Sequence, residues 1–123
     1  MSDEVCLSMD WFSTLVALGH VDFDSAPKLD GINLEPALTG TGPLPERTVF
    51  WQTGKSAAAR RGTLKWIAPT NNADAPGQLY DLQKDRGETT DVSDLHPEQK
   101  TELQEAYKNW RNEVWDGVAP VAR

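Results

Sequence analysis

The fold is decided by residues 47–82, which read RTVFWQTGKSAAARRGTLKWIAPTNNADAPGQLYDL. Four short runs in this stretch, 48–52, 56–60, 63–68 and 78–82, are separated by Gly, Pro or Asn. Runs of this length with such boundaries are typical of antiparallel strands. The first two breaks are short enough for hairpin turns, whereas the third is a longer polar loop. The stretch therefore predicts a small antiparallel sheet of three to four strands.

An amphipathic helix follows the predicted sheet. Pro97 is a favourable first residue for a helix, and it is followed at helical spacing by Leu103, Tyr107, Trp110 and Val114. These side chains form one apolar stripe, while charged and amide side chains occupy the other faces. We therefore expect the helix to lie on one face of the sheet with its opposite side in water. The predicted fold class is α+β, with the sheet packed against this C-terminal helix.

A short helix and an ordered, loop-rich connector precede the sheet. Residues 10–18 carry apolar side chains at helical spacing, and Gly19 is a favourable helix end. The alternation of apolar and polar residues over 5–9 predicts a short strand before this helix. Residues 20–46 are rich in Pro, Gly and Asp. The predicted domains are residues 1–46 for the helix and connector, 47–117 for the sheet-and-helix subdomain, and 118–123 for a tail.

The amino-acid composition argues against two classes of binding partner. The 123 residues suffice for one ordinary domain, and the formal net charge of -7 opposes binding to a phosphate backbone. We therefore expect no nucleic-acid partner. No stretch approaches the ~18 consecutive apolar residues of a membrane span, so no membrane partner is expected either. The acidic start, Met1-Ser2-Asp3-Glu4, carries no targeting signal, and the localisation is left open.

The residue types that usually perform catalysis do not form a recognisable catalytic motif in this sequence. His20 follows a predicted helix end, and His96 stands before Pro97 in a capping position. Cys6 is the only cysteine and lies in an apolar alternation, where a thiol usually behaves as a small hydrophobe. The acidic residues over 81–94 lack the ligand order of a calcium-binding EF-hand loop. No catalytic residue and no metal ligand is predicted.

Four short motifs nevertheless follow one another in a recognisable order. Residues 8–15, SMDWFSTL, resemble the pattern S-x-D-[LWI]-x-P-T-L, with Ser13 in place of the proline. Residues 30–40, DGINLEPALTG, resemble D-G-x-S-L-x-P-x-L-x-G. Phe50-Trp51 and then residues 59–66, ARRGTLKW, are similar to an avR-x-G-x-W-K strand pair, and 79–89, LYDLQKDRGET, to L-Y-D-L-x-x-D-P-G-E. These patterns belong to the C-terminal end of the type I sulfatases, in the alkaline-phosphatase-like superfamily.

The resemblance implies a part of an enzyme that lacks its catalytic domain. Sulfatases hydrolyse sulfate esters with a formylglycine made from a C/S-x-P-x-R motif, beside a divalent cation that is usually calcium. Cys6 is followed by Leu7-Ser8-Met9 and does not fit that motif. The resemblance thus assigns formylglycine and calcium to the parent sulfuric ester hydrolase and none to this chain, which we expect to be inactive alone. Related phosphonate and phosphodiester hydrolases of the superfamily stay open as parents.

The resemblance also suggests two sets of functional residues. By analogy with the family's C-terminal subdomain, Gln52, Lys55 and Arg60 are candidates for the edge of a substrate cleft, with solvated hairpin tips as the open alternative. The candidate interface residues, which would rest on the missing catalytic domain, are Trp11, Phe12, Leu15, Leu34 and Leu38. An alternative is an independent, non-enzymatic module from a truncated gene. In that case the same apolar side chains would serve self-association or another partner.

Overall fold

The computed structural model describes residues 4–20, 29–70 and 75–115. The chain divides into two compact units, Met1–Pro45 and Glu46–Arg123. The first contains the helices α1 (Ser8–Leu18) and α2 (Glu35–Thr39). The second contains the strands β1 (Thr48–Gln52), β2 (Ser56–Arg61), β3 (Leu64–Pro69) and β4 (Gln78–Asp81), followed by the helix α3 (Pro97–Trp115).

The four strands of the second unit form one antiparallel sheet in the order β1-β2-β3-β4. Ala59 is the centre of a row across the sheet, because it lies opposite Phe50 on β1 and opposite Trp66 on β3. Leu79 extends this row from Trp66 to β4. The predicted α+β class, with a small antiparallel sheet and a C-terminal helix, is therefore confirmed.

The core of this unit lies between α3 and one face of the sheet. Three alanines on this face, Ala57, Ala59 and Ala68, are buried together with Trp66 and Leu79 from the sheet and Leu103 and Tyr107 from α3. Small side chains on β2 leave room for the helix and for the large rings of its neighbours. Phe50 stacks on Trp110, with ring centroids 5.2 Å apart and planes inclined by 13°. The apolar stripe predicted on α3 thus supplies the helix side of the core through Leu103, Tyr107 and Trp110, whereas Val114 at its end is 48% exposed.

The outer edge of β4 is closed by the loop that leads to α3. The Leu79 N–H donates a hydrogen bond to Asp91 Oδ1 at 3.1 Å, and the Val92 N–H donates to the Leu79 carbonyl oxygen at 2.8 Å. Asp91 Oδ1 also accepts hydrogen bonds from the Ser93 N–H at 2.9 Å and from the Ser93 hydroxyl. Both backbone groups of Leu79 that point away from β3 are therefore satisfied.

We expect Asp91 to make the stability of this unit depend on pH. Burial acts to raise the pKa of Asp91, but the hydrogen bonds from Ser93 and Leu79 and the charge of Lys100 outweigh it, so the pKa lies below its usual value. A carboxyl whose pKa is lowered on folding stabilises the fold above its unfolded pKa, which is about 4. That contribution is lost as the pH falls through the folded pKa.

The expected result for Asp91→Asn is a shallower loss of stability between about pH 5 and pH 2 than in the unchanged chain. Urea unfolding at several pH values, followed by tryptophan fluorescence, measures it. Asp94→Asn is the matched control, because Asp94 is exposed and the Leu79 contact is left intact. Equal acid sensitivity of Asp91→Asn and the unchanged chain would contradict this role of Asp91.

The first unit is organised by polar side chains of α1. The fully buried Asp10 accepts hydrogen bonds from the Leu7 N–H at 2.7 Å and the Ile32 N–H at 3.0 Å. Thr14 Oγ1 donates to the Asp10 carbonyl oxygen at 2.7 Å and accepts from the Leu34 N–H at 2.9 Å. These contacts tie α1 to the segment that begins α2.

The prediction of a strand over 5–9 is wrong, because α1 begins at Ser8 and includes Met9. The Asp10 carboxylate holds the Leu7 N–H, one of the donors that a helix start leaves without an internal partner. Capping by Asp10 therefore extends the helix toward the N-terminus and overrides the alternating pattern. Gly19 is the C-cap, as expected.

Candidate functional site

The structure separates the three residues predicted at a substrate-cleft edge. Gln52 and Lys55 are exposed at the β1–β2 hairpin, whose turn is closed by the Thr53 N–H donating to the Ser56 carbonyl oxygen at 2.8 Å. Gln52 lies on the sheet face that holds α3, where its side chain meets Tyr107. Arg60 lies opposite Val49 and therefore on the other face. Its Nε donates to the Gly62 carbonyl oxygen at 2.9 Å.

Gln52 instead belongs to a cavity between the sheet and the C-terminal half of α3. The cavity has a volume of about 310 Å³. Its floor includes the buried rings of Trp66 and Tyr107, and its rim includes exposed polar side chains. We call it the helix–sheet groove and define it by Gln52, Trp66, Thr70, Tyr107, Lys108 and Arg111.

Two hydrogen bonds fix the aromatic floor of the helix–sheet groove. Tyr107 Oη donates to Gln52 Oε1 at 2.7 Å, and Trp66 Nε1 donates to the Pro76 carbonyl oxygen at 3.3 Å. The two rings lie against each other, with centroids 5.3 Å apart and planes inclined by 41°. Because both polar ends are held, the two rings are fixed in the floor, where Trp66 is 3% and Tyr107 is 7% exposed.

Helical spacing explains why α3 brings a cation to this floor. Tyr107 and Arg111 are four residues apart and therefore lie on the same side of α3, and Lys108 is adjacent. Burial raises the pKa of the Tyr107 phenol, and the charge of Arg111 acts in the opposite direction. The phenol is thus neutral at ordinary pH, and Arg111 lies close enough for its charge to act on it.

The groove offers binding chemistry rather than catalytic chemistry. Its lining supplies two amides, a hydroxyl, an indole, a phenol, an ammonium and a guanidinium group, and among the described lining residues there is no carboxylate, thiol or imidazole. Such a set can donate hydrogen bonds to an oxyanion, but it contains no general base for a nucleophile. Within 4–20, 29–70 and 75–115, no group of three or more His, Cys, Asp or Glu side chains could hold a metal ion.

The sequence did not reveal the helix–sheet groove. The helical pattern places Tyr107 in the apolar stripe of α3 and places Lys108 and Arg111 on its polar faces. The available signal was the pairing of Tyr107 with Arg111 at i and i+4, but the opposing Gln52 and Trp66 depend on the sheet register.

The predicted interface residues have different environments. Trp11, Phe12, Leu15 and Leu38 are exposed, with 52%, 55%, 64% and 57% of their surface accessible. Leu34 is only 2% exposed and cannot offer its side chain to a partner in this arrangement. We call Trp11, Phe12 and Leu15 the α1 apolar face. In the described ranges no helix combines the length and apolarity needed to cross a membrane.

The sheet, α3 and the helix–sheet groove together define a small α+β unit. The chain resembles a protein from Bacteroides thetaiotaomicron, denoted 6S-sulf and described with the metabolism of multiple glycosaminoglycans, at a TM-score of 0.65 and 25% identity. The match covers 84% of this chain and 24% of that protein. Ps i-CgsB, solved in complex with k-i-k-neocarrahexaose, matches with a TM-score of 0.65 and 23% identity, over 82% of this chain and 23% of its own.

A putative sulfatase from Bacteroides thetaiotaomicron VPI-5482 also shares the fold, with a TM-score of 0.53 and 20% identity over 87% of this chain and 24% of its own. Sulfatases are therefore among the structural neighbours of the chain. The chain spans about a quarter of the length of these solved structures. No protein-family model and no curated protein matches the sequence.

Proposed function

We propose that the chain is the C-terminal subdomain of a sulfatase, a sulfuric ester hydrolase whose catalytic domain lies elsewhere in the parent protein. The observation that carries the proposal is the extent of the structural likeness. It includes more than four-fifths of this chain but only about a quarter of each neighbour, as expected for a subdomain. The four sulfatase-like motifs support the same assignment, because they run through both units in the family's order.

In this role the chain supports the catalytic domain and does not perform the chemistry. Formylglycine and calcium belong to the catalytic domain in this proposal. The β1–β2 hairpin is the proposed contribution to the edge of the substrate cleft, since Gln52 and Lys55 are exposed there. Arg60 points to the opposite sheet face from Gln52, so these two side chains would contact different parts of the parent protein.

The α1 apolar face is the proposed contact with the catalytic domain. Trp11 and Leu15 are more than half exposed, which is unusual for large apolar side chains that are neighbours on one helix. Complete burial of such a side chain contributes about 1.5–3 kcal/mol. A partner surface that covers the α1 apolar face would therefore be bound with several such contributions.

Hydrolysis of 4-nitrophenyl sulfate tests the sulfatase proposal. The isolated 123-residue chain should release no 4-nitrophenol above the buffer rate, with or without calcium. The parent gene should encode a C/S-x-P-x-R motif upstream of this sequence, and the longer protein with formylglycine should be active. Turnover by the isolated chain, or a parent gene without the motif, would overturn the proposal.

A second candidate function is self-association through the α1 apolar face, and the exposure of Trp11 and Leu15 is the observation that favours it. In this case the isolated chain is a dimer by light scattering. Leu15→Lys should give a monomer, because a charge in the contact would have to be buried without a partner. Leu95→Lys is the matched control, since Leu95 is 75% exposed and lies far along the chain in the second unit. A monomeric unchanged chain at high concentration rules out self-association.

A further inference from the structure

The two edges of the sheet differ. The outer edge of β4 is closed at Leu79 by Asp91 and Val92. The outer edge of β1 has no neighbouring strand in the part of the chain that the structure describes. An open edge offers backbone N–H and C=O groups with which another strand can pair. The sheet can therefore be extended on the side of β1.

The first hairpin shows which backbone groups of β1 point outward. The Thr53 N–H donates to the Ser56 carbonyl oxygen at 2.8 Å, so these two residues form a hydrogen-bonded pair. Such pairs alternate along an antiparallel ladder, and the backbone groups of Trp51 and Val49 therefore also point toward β2. The outward groups belong to the alternate residues of β1, which are Thr48, Phe50 and Gln52. No hydrogen bond joins these outward groups to another described residue.

β1 lacks the features that usually protect an edge strand. Its five residues, TVFWQ, include no charged side chain and no proline, and its three central residues favour strands. Trp51 is 38% exposed on the sheet face away from α3. Because native proteins usually protect an edge of this kind, its exposure indicates that another strand covers it.

The order of residues along β1 is suited to pairing with a second copy of itself. When two copies run antiparallel with Phe50 opposite Phe50, Thr48 of each copy lies opposite Gln52 of the other. All of these residues have the hydrogen-bonding orientation, so each pair exchanges both backbone hydrogen bonds. The same register continued beyond the strand places the exposed Lys55 of one copy next to the exposed Glu46 of the other. The charges at the ends of the paired strands are therefore complementary.

The helix α3 leaves room for this pairing. It lies over β2 and contacts β1 and β3 on either side. Neighbouring strands are about 4.8 Å apart, so the β2 strands of two copies paired through β1 would be about 14 Å apart. Packed helices need only about 8–10 Å between their axes. The two α3 helices therefore do not collide. On the same face Phe50, which stacks on Trp110, meets Phe50 of the second copy as an aromatic cross-strand pair.

We propose that two copies of the chain pair through β1 to form one continuous antiparallel sheet, with a twofold axis at Phe50. The interface is isologous, because both copies use the same strand. It is separate from the α1 apolar face, which belongs to the first unit. It also goes beyond the sulfatase proposal, because it requires no catalytic domain. Pairing of five residues from each copy buries little surface, so the dissociation constant should be on the order of 0.1 mM.

Nuclear magnetic resonance of the full 123-residue chain tests the pairing. In a mixture of ¹³C-labelled and unlabelled chain, the Hα of Val49 should give an intermolecular nuclear Overhauser effect to the Hα of Trp51, because residues of a non-hydrogen-bonded pair have Cα atoms only about 4.5 Å apart. The outward amides of Phe50 and Gln52 should exchange with solvent more slowly at about 1 mM than at about 0.02 mM chain. The inward amide of Trp51 is the internal control and should change less.

Charged substitutions at Thr48 and Gln52 test the register. Thr48→Glu combined with Gln52→Glu should weaken dimerisation by about tenfold or more, because like charges then lie opposite each other across the twofold axis. Thr48→Lys combined with Gln52→Glu places opposite charges there and should restore the affinity. Carboxylates at both positions can still accept the hydrogen bonds that Arg61 and Tyr107 donate, so the double glutamate variant should fold. Circular dichroism verifies the folding of each variant.

Lys84→Glu is the matched control for net charge. It changes the charge of the chain by the same amount as the double glutamate variant, at a side chain that is 82% exposed and outside β1. It should change the dissociation constant by less than about threefold. An equal loss of affinity in Lys84→Glu and in the double glutamate variant would overturn the register, because general repulsion would then explain both.

Two further results would overturn the inference. One is a chain that stays monomeric at about 1 mM. The other is a dimer that Leu15→Lys abolishes and the β1 variants leave unchanged, which would assign association to the α1 apolar face. The sulfatase proposal fails separately, because 4-nitrophenyl sulfate hydrolysis and the upstream motif of the parent gene do not depend on pairing of β1.

Discussion

Leu79→Ala is expected to lower the free energy of unfolding of the second unit by about 2–5 kcal/mol. Leu79 is completely buried and extends the core row from Trp66 into β4. Truncation removes apolar contacts and leaves a cavity, because neither the sheet register nor α3 can close over the space. Domains of ordinary stability unfold with only about 5–15 kcal/mol, so a large part of the total would be lost.

Urea unfolding followed by tryptophan fluorescence measures this effect. Leu95→Ala is the matched control, because it is the same substitution at a side chain that is 75% exposed. The control should change the free energy of unfolding by less than about 0.5 kcal/mol. Similar losses for the two variants would contradict the position of Leu79 in the core.

Gly77→Ala is expected to be the second strongly destabilising substitution. Gly77 has φ = 64°, a left-handed conformation that costs other residues about 1–2 kcal/mol. An added Cβ would also overlap Trp66 Nε1 and lie 2.7 Å from the Ile67 carbonyl oxygen. Since Trp66 is 3% exposed and lies against the Tyr107 ring, it cannot move aside without loss of packing.

Gly62→Ala separates the two causes. Gly62 has φ = 56°, but nothing lies within 4 Å of the position that a Cβ would occupy. The free energy of unfolding of Gly62→Ala should therefore fall only by the cost of the left-handed conformation. Gly77→Ala should lower it by about 1–3 kcal/mol more, which is the usual cost of overpacking. Urea unfolding measures the free energy of unfolding of both variants. Equal decreases for Gly62→Ala and Gly77→Ala would show that the contact between the added Cβ and Trp66 has no cost.

The sheet and α3 could be predicted because their signals are local. Residues 48–52 coincide with β1, and the other three strands end within about one residue of the predicted runs. The stripe on α3 likewise needs only the helical period. The failure at 5–9 has a different origin, because the Asp10 carboxylate caps the Leu7 N–H and α1 therefore begins at Ser8, two residues before the predicted start.

The candidate site could not be predicted because it depends on the register between strands. Gln52 pairs with Ala57, so even-numbered residues of β1 share a face with odd-numbered residues of β2. Gln52 and Arg60 therefore lie on opposite faces, although both are polar residues near one hairpin. A shift of one residue in the pairing would have reversed the result, and composition does not fix that choice.

The burial of Leu34 could also not be predicted from the hydropathy pattern. A helix is expected to bury its apolar side chains, yet α1 buries Asp10 and Thr14 and exposes Trp11 and Leu15. The buried Thr14 Oγ1 accepts a hydrogen bond from the Leu34 backbone, which brings Leu34 into the interior. Polar contacts specific to this loop, rather than hydropathy, decide which leucine is covered.

The closed edge of β4 bears on the behaviour of the protein in concentrated solution. An open edge strand offers a row of N–H and C=O groups on which another molecule can add a strand and begin an amyloid-like stack. At Leu79 both outward groups are already used by Asp91 and Val92. Growth of intermolecular sheets through this side of the molecule would first require the 91–92 segment to detach, which gives the fold a built-in resistance to aggregation there.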